Sequence, residues 1–398
     1  MLKRLFLLLC LGLPFAGLSA QPTGAHRLQF YTASIEAEEL PDLPPDDRPL
    51  KLAADIHHFL NRIPPAQLEK LSRLLTEWRA IYRLNDWLYY KLIAATLAQA
   101  YPALGPDQKE VMLFLLLAQA GFDSRLMIYP DQLETMFYVT DPVYNAFTLS
   151  FGEVPRSYLI PSTINRRNEP DRRGQYFPFA PNPGGRPLSL RLEHWPHFQS
   201  RKTTRKLQFQ YQNEHFEEEL LVPDAPAMRM ILEEYPILES KQYWRTPLSP
   251  ELNLQLDAWL KPQLKGKSKR EAIQFLLAFC RQAFPYKTDD EAYGRERPFF
   301  AQELFFFPYS DCEDRVALFF QLVTHWLDLP IIVVDLPDHL TTAVDFPGGE
   351  GNYLELEGRK FWFCDPTGPA QPNGEVLLAP DYGSKSVSIV DQEIFRNN

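Results

Sequence analysis

Residues 307–325, FPYSDCEDRVALFFQLVTH, decide how the chain is read. Ser310 followed three residues later by Glu313 is a capping-box pattern, so Ser310 is the expected N-cap with Glu313 reaching back to it. An apolar series at helical spacing follows: Val316, Phe319, Phe320, Val323 and Leu327. Cys312 therefore falls in the first helical turn, where backbone N–H groups have no intrahelical partner. The positive end of the helix dipole lies there as well. A thiol so placed tends towards thiolate, and the neighbouring N–H donors can hold an oxyanion. Asp311, Glu313 and Asp314 act in the opposite sense, because crowded negative charge disfavours a thiolate.

Downstream, His339 stands 27 residues after Cys312, in VVDLPDHLTTAVDF, which reads as two strand-like pieces broken at Pro337. Asp365 lies 26 residues further on, at the end of FWFCDPTG. The intervening NYLELEGRKFWF alternates, turns at Glu357-Gly358-Arg359 and alternates again. The order is a Cys at a helix start, a His on a strand and an Asp at a strand end. A thiol nucleophile needs a base to take its proton, and the base needs a third group to fix its tautomer.

DCEDRVALF, PDHLTTAV and FCDPTG resemble the three motifs of the transglutaminase-like superfamily, papain-related thiol enzymes whose Cys, His and Asp occur in this order. The resemblance covers roughly residues 270–380. It implies an α+β domain in which a Cys-bearing helix packs on an antiparallel sheet. It also implies Cys312 as nucleophile, His339 as base, Asp365 as the orienter of His339, and no cofactor. Domains of this type also persist as non-catalytic modules.

The C-terminal domain is expected over residues 246–398, with its first helix at Lys269–Phe284. A long aromatic-rich segment then leads to Cys312. Within it, Gln302 and Tyr309 are candidates for a second oxyanion donor, with ordinary core packing as the other reading.

Residues 51–150 repeat this region weakly. LIAATLAQAYP (92–102) matches QFLLAFCRQAFP (274–285), and residues 107–139 then match 311–344. In this register Gln108 stands against Cys312 and Gln132 against His339. The repeat reads as a degenerate, inactive copy of the same fold, or as two unrelated helix–strand units. Its helices are expected at Ala66–Tyr82, Asp86–Ala100 and Asp107–Ala120, with Gly121 closing the last. Residues 151–245 read as a β-rich domain with a hairpin, TRKLQFQYQNEHFEEELLV, turning near Asn213. Residues 21–50 read as a Pro-rich linker or edge segment.

Residues 1–20 have the form of a signal peptide: Lys3 and Arg4, an apolar run from Leu5 to Leu13, and small residues from Gly17 to Ala20. The run is too short to span a bilayer, so the chain is expected to be periplasmic or secreted with no membrane span. Removing the leader takes Cys10 with it and leaves Cys280, Cys312 and Cys364. An odd number keeps at least one thiol free or pairs it between chains, which suits a reactive Cys312. Cys280, on an apolar helix, and Cys364, turned to the opposite strand face from Asp365, read as packing thiols.

A hydrophobic fraction of 45% supplies real cores, and 36 prolines imply long extended connectors. The net charge of −10 argues against a nucleic-acid partner, which needs a basic face. His57-His58 and His194-x-x-His197 have no Cys or carboxylate at ligand spacing, so no metal site is expected. The function expected is an exported cysteine enzyme that cuts peptide or amide bonds in a protein or peptide substrate. The competing readings are a non-catalytic binding or scaffold module of an envelope or surface assembly, and a cross-linking transglutaminase.

Overall fold

Alternating apolar residues near the start of the chain form β1 (His26–Phe30) and β2 (Ala33–Ala37), a hairpin with Leu28, Phe30, Ile35 and Ala37 buried. The computed structural model describes residues 26–128, 132–151, 155–166, 175–176, 184–198, 202–337, 339–368 and 387–393. The expected signal peptide lies outside these residues. The segment expected to be a linker or edge piece thus contains an ordered hairpin. It docks on a helix whose Gln99 amide bonds both the N–H and the carbonyl of Gln29, each at 2.8 Å.

Four helices follow: α1 (Ala53–Arg62), α2 (Pro65–Ile81), α3 (Asp86–Ala100) and α4 (Pro106–Gln119). Local chemistry sets their ends. Pro65 and Pro106 occupy first-turn positions that lack a helical N–H partner. The Asn85 side chain caps α3 by accepting the Leu88 N–H at 3.0 Å. Gly121, at φ +90°, ends α4 with the left-handed residue that glycine adopts most readily.

Strands β3 (Ser124–Ile128), β4 (Leu133–Val139), β5 (Thr148–Phe151), β6 (Arg156–Leu159) and β7 (Gln175–Tyr176) form one antiparallel sheet in the order β5-β6-β4-β3-β7. This corrects the expected boundary at 150/151, which falls inside β5. Strands β5 to β7 extend the β3–β4 pair instead of opening a separate β-rich domain, and they satisfy backbone edges that the pair alone would leave open. The hairpin predicted near Asn213 is present as β8 (Thr203–Tyr211) and β9 (Glu214–Val222). Its two turn residues, Gln212 (φ 50°) and Asn213 (φ 66°), adopt the mirror-image turn that matches strand twist. Its apolar face (Leu207, Phe209, Leu220, Val222) packs on helices of the C-terminal half.

The C-terminal half comprises α5 (Ala225–Glu233), α6 (Lys241–Arg245), α7 (Pro250–Leu264), α8 (Lys269–Gln282), α9 (Asp289–Tyr293) and α10 (Cys312–Leu322). Five strands complete it: β10 (Ile331–Leu336), β11 (His339–Val344), β12 (Tyr353–Leu356), β13 (Arg359–Phe363) and β14 (Ser388–Glu393). Their order is β12-β13-β11-β10-β14, again all antiparallel. Position by position this is the order of the first sheet. Helix α4 packs on β3 and β4 as well as on α3, and α10 packs on β11 and on α8. The molecule is therefore α+β, its described residues forming two five-stranded antiparallel sheets and two separate hairpins, and one apolar core runs through both halves.

The start of α10 departs from expectation by one residue. Its N-cap is Asp311, whose N–H is accepted by Asp314 Oδ2 at 3.1 Å. Ser310 is held in a bridge beside Tyr286, donating its N–H to the Pro285 carbonyl at 3.0 Å and accepting the Lys287 N–H at 3.2 Å. Its backbone is thus tied to the preceding segment and the helix begins after it. Asp314 takes the role expected of Glu313, and Glu313 turns elsewhere.

Candidate active site

Cys312 occupies the first position of α10, a helix anchored by buried Val316, Phe319 and Phe320. The thiol donates to Glu313 Oε2 at 2.8 Å, and the Leu340 N–H of β11 points at the sulfur. Burial pushes the thiol pKa well up, the Glu313 carboxylate adds to it, and the Leu340 N–H opposes it only in part. The expected drift towards thiolate is thus reversed. A helix terminus contributes about 0.3–1 kcal/mol to a nearby anion, less than desolvation and adjacent carboxylates take away.

His339 opens β11 and pairs across the hairpin with Leu336. Asp365 directly follows Cys364, whose N–H bonds the Thr342 carbonyl at 2.8 Å and carries the β13–β11 pairing one residue further. That register sets Asp365 beside His339, and Oδ2 lies 3.1 Å from Nε2. Burial alone would raise the Asp365 pKa. The His339 imidazole, the Thr367 N–H (2.8 Å to Oδ1) and Arg281 outweigh it, so the carboxyl is held below its usual range. Arg281, buried at the end of α8, donates Nε to the Asp365 carbonyl at 2.8 Å, and its Nη2 bonds the same oxygen. Sequence reasoning passed over Arg281. Its only signal was a charged residue on the apolar helix that carries Cys280.

Cys312 and His339 line one cavity of about 550 Å³, walled by Leu238, Tyr243, Trp244 and Phe299, with Tyr144 among the outer residues. Glu296 and Glu313 line it too. The Glu313 carboxyl contacts those of Glu296 and Asp311. Burial and then Glu313 push Glu296 up to about 7 and Asp311 up to about 8. Asp314, fully enclosed, also lies well above the ordinary range through burial and then Asp311. It accepts the Phe299 N–H at 2.9 Å and so ties the aromatic segment to the helix start. Asp311, Cys312 and Glu313 each offer a ligand atom within 4.8 Å of the others, the one such group among the described residues that could hold a metal ion.

The two candidate oxyanion side chains point elsewhere. Gln302 is buried and accepts the Ser249 N–H at 2.5 Å. The Tyr309 ring lies 3.9 Å from the Lys287 ammonium. Neither lines the cavity, and the donor shown at the sulfur among the described residues is the Leu340 N–H. Cys280 and Cys364 are fully buried among apolar side chains.

The first half repeats the pattern with other residues. The Leu133 N–H donates to Asp107 Oδ1 at 3.0 Å, as the Leu340 N–H points at Cys312. Asp107 thus makes a helix-to-strand contact of the kind Cys312 makes, one residue before the expected Gln108. Gln108 instead bonds both backbone groups of Asp46. Gln132 directly precedes Leu133 as His339 precedes Leu340, and Asp107, Gln108 and Gln132 line a second cavity of about 410 Å³.

Compared with known proteins, the chain matches no family model, no curated protein and no solved structure.

Proposed function

We propose that this chain is a cysteine-dependent acyl-transfer enzyme of transglutaminase-like type that hydrolyses peptide or amide bonds. The observation that carries the reading is the hydrogen-bonded His339–Asp365 pair at the cavity that Cys312 lines. Asp365, kept ionised, fixes Nε2 and so assigns Nδ1 the exchange of protons with the sulfur. The resting thiol is neutral. Its proton passes to His339 as the S–C bond forms, and the carbonyl electron pair moves onto oxygen beside the Leu340 N–H. The imidazolium, paired with Asp365, then gives its proton to the departing nitrogen as the C–N bond breaks. Water adds to the thioester and releases the acid and the thiol. An amine in place of water gives cross-linking from the same intermediate.

The common strand order of the two sheets, with an Asp107–Leu133 contact of the kind Cys312 makes with Leu340, supports reading the first half as an inactive copy. One observation favours the rival reading, a non-catalytic binding module: the thiol is held neutral by burial and Glu313.

A fluorogenic peptide library separates the two, together with acid-quenched mass spectrometry of the Cys312 peptide to detect the thioester; hydroxylamine, which cleaves a thioester to the hydroxamate and the free thiol, should then abolish the adduct. Turnover and an acyl adduct on Cys312, both lost in Cys312→Ala and His339→Ala, are expected. Absence of both in the intact protein refutes the enzyme.

A further inference from the structure

The cavity in front of Cys312 has apolar walls and acidic groups. Its ionisable lining among the described residues is Glu296, Glu313, Asp335, Cys312 and His339 with the phenols of Tyr144 and Tyr243, and no described lysine or arginine lines it. Among the described residues, none of the three carboxylates forms an ion pair. Asp311 adds a fourth beneath them. It is only 7% exposed, its Oδ1 is buried without a hydrogen-bond partner, and it brings an oxygen within 4.8 Å of both the Cys312 sulfur and the Glu313 carboxylate.

Arg297 and Arg315, both buried and next in sequence to Glu296 and Asp314, do not line the cavity. Arg297 lies 3.5 Å from Glu233 and 3.7 Å from Glu303. Arg315 donates to Ser310 Oγ and to the Phe284 carbonyl. Glu296 and Asp335 are exposed and Glu313 is half-buried, and like charges gathered there without an ion-pair partner repel one another. A cation entering the cavity would relieve that repulsion. The carbon stem behind such a cation would lie along Leu238 and Phe299, with the Tyr144 ring available to its charged end.

We propose that this cavity selects substrates carrying an amine or guanidinium cation within one side chain of the carbonyl that Cys312 attacks. The inference rests on the acyl-transfer reading for that attack and specifies its substrate class. The 2.8 Å contact between Glu313 and the sulfur fixes how close the cation must come.

The test is run first without turnover. The full chain is treated with three methanethiosulfonates of matched size, bearing a trimethylammonium, a neutral or a sulfonate tail. Each forms a disulfide with the thiolate and expels methanesulfinate. Modification of Cys312 is followed by mass spectrometry of its peptide and normalised to a free thiol. The cationic reagent is expected to exceed the anionic one by at least about tenfold at low salt. The ratio should shrink in the Glu296→Gln/Asp335→Asn double variant and at about 1 M salt, where screening acts within about 3 Å. A ratio near one, an inverted ratio, or one the variant leaves unmoved would overturn the proposal.

Peptides matched except for arginine, its neutral isostere citrulline, or glutamate then read kcat/KM, and a free or acetylated α-amine separates a chain terminus from a side chain as the source of the cation. Turnover blind to charge also overturns the proposal. Charge-selective labelling with no peptide cut would remove the hydrolase reading and leave the cation selectivity standing.

Discussion

Glu313 Oε2 accepts the Cys312 thiol at 2.8 Å, so the residue next in sequence to the candidate nucleophile holds it in the protonated form. The same carboxyl touches Glu296 and Asp311, and this one side chain links the thiol to the acidic cluster.

Replacing Glu313 by Gln should therefore lower the apparent pKa of Cys312. Burial is the larger cause and stays, so the expected fall is about one unit, or about 1.4 kcal/mol. The pH dependence of iodoacetamide labelling at Cys312 measures it. A pKa that stays or rises would mean the carboxyl does not hold the proton.

The buried acids make a second prediction about stability. Glu303, only 2% exposed, is pushed up to about 8 by burial, and Asp311 likewise by burial and Glu313. An acid whose folded pKa is raised binds its proton more tightly when folded. Its contribution is fully present below the unfolded pKa of about 4 and is lost as pH rises through the folded value. Urea midpoints should therefore fall from pH 5 to pH 8.5, by an equivalent of about 2 kcal/mol or more at 1.36 kcal/mol per unit. Glu303→Gln, which can still accept the Phe300 N–H, should flatten part of that slope.

On the acyl-transfer reading, the Arg281 bond to the Asp365 carbonyl would position the partner of His339. Arg281→Ala leaves a buried carbonyl unpaired, at a cost of about 1–3 kcal/mol. It should also reduce kcat by roughly tenfold as the His339 partner loosens, with KM little changed. Arg281→Lys should recover part of both losses. Steady-state kinetics and chemical denaturation on the same variants distinguish this from simple destabilisation, which would leave kcat per folded molecule intact.

Asp107→Ala removes the acceptor of the Leu133 N–H in the first half. It should cost about 1 kcal/mol of stability and leave Cys312 labelling unchanged. A change in labelling would mean that the two halves share one site.

Much of the candidate site was legible in the chain. The apolar spacing from Val316 to Val323 required a helix, and Cys312 had to lie at its start. Pro337 and Glu357-Gly358 announced the two hairpins that bring His339 and Asp365 alongside each other, the second turn with positive φ at both residues. Local signals of this kind travel with a few residues of sequence.

The start of the helix and the charge state of the site were decided only in three dimensions. Ser310 looked like a cap, but its bridge to the Tyr286 segment moved the cap to Asp311 and released Glu313 towards the thiol. Letter matching set Gln108 against Cys312, but in the folded chain it is Asp107 that bonds the strand, at Leu133. Glu296 and Arg281 reach the site from elements distant in sequence. Periodicity tells a chain which face to bury. Desolvation and the sum of neighbouring charges depend on every element packed around a group, and no local stretch encodes that sum.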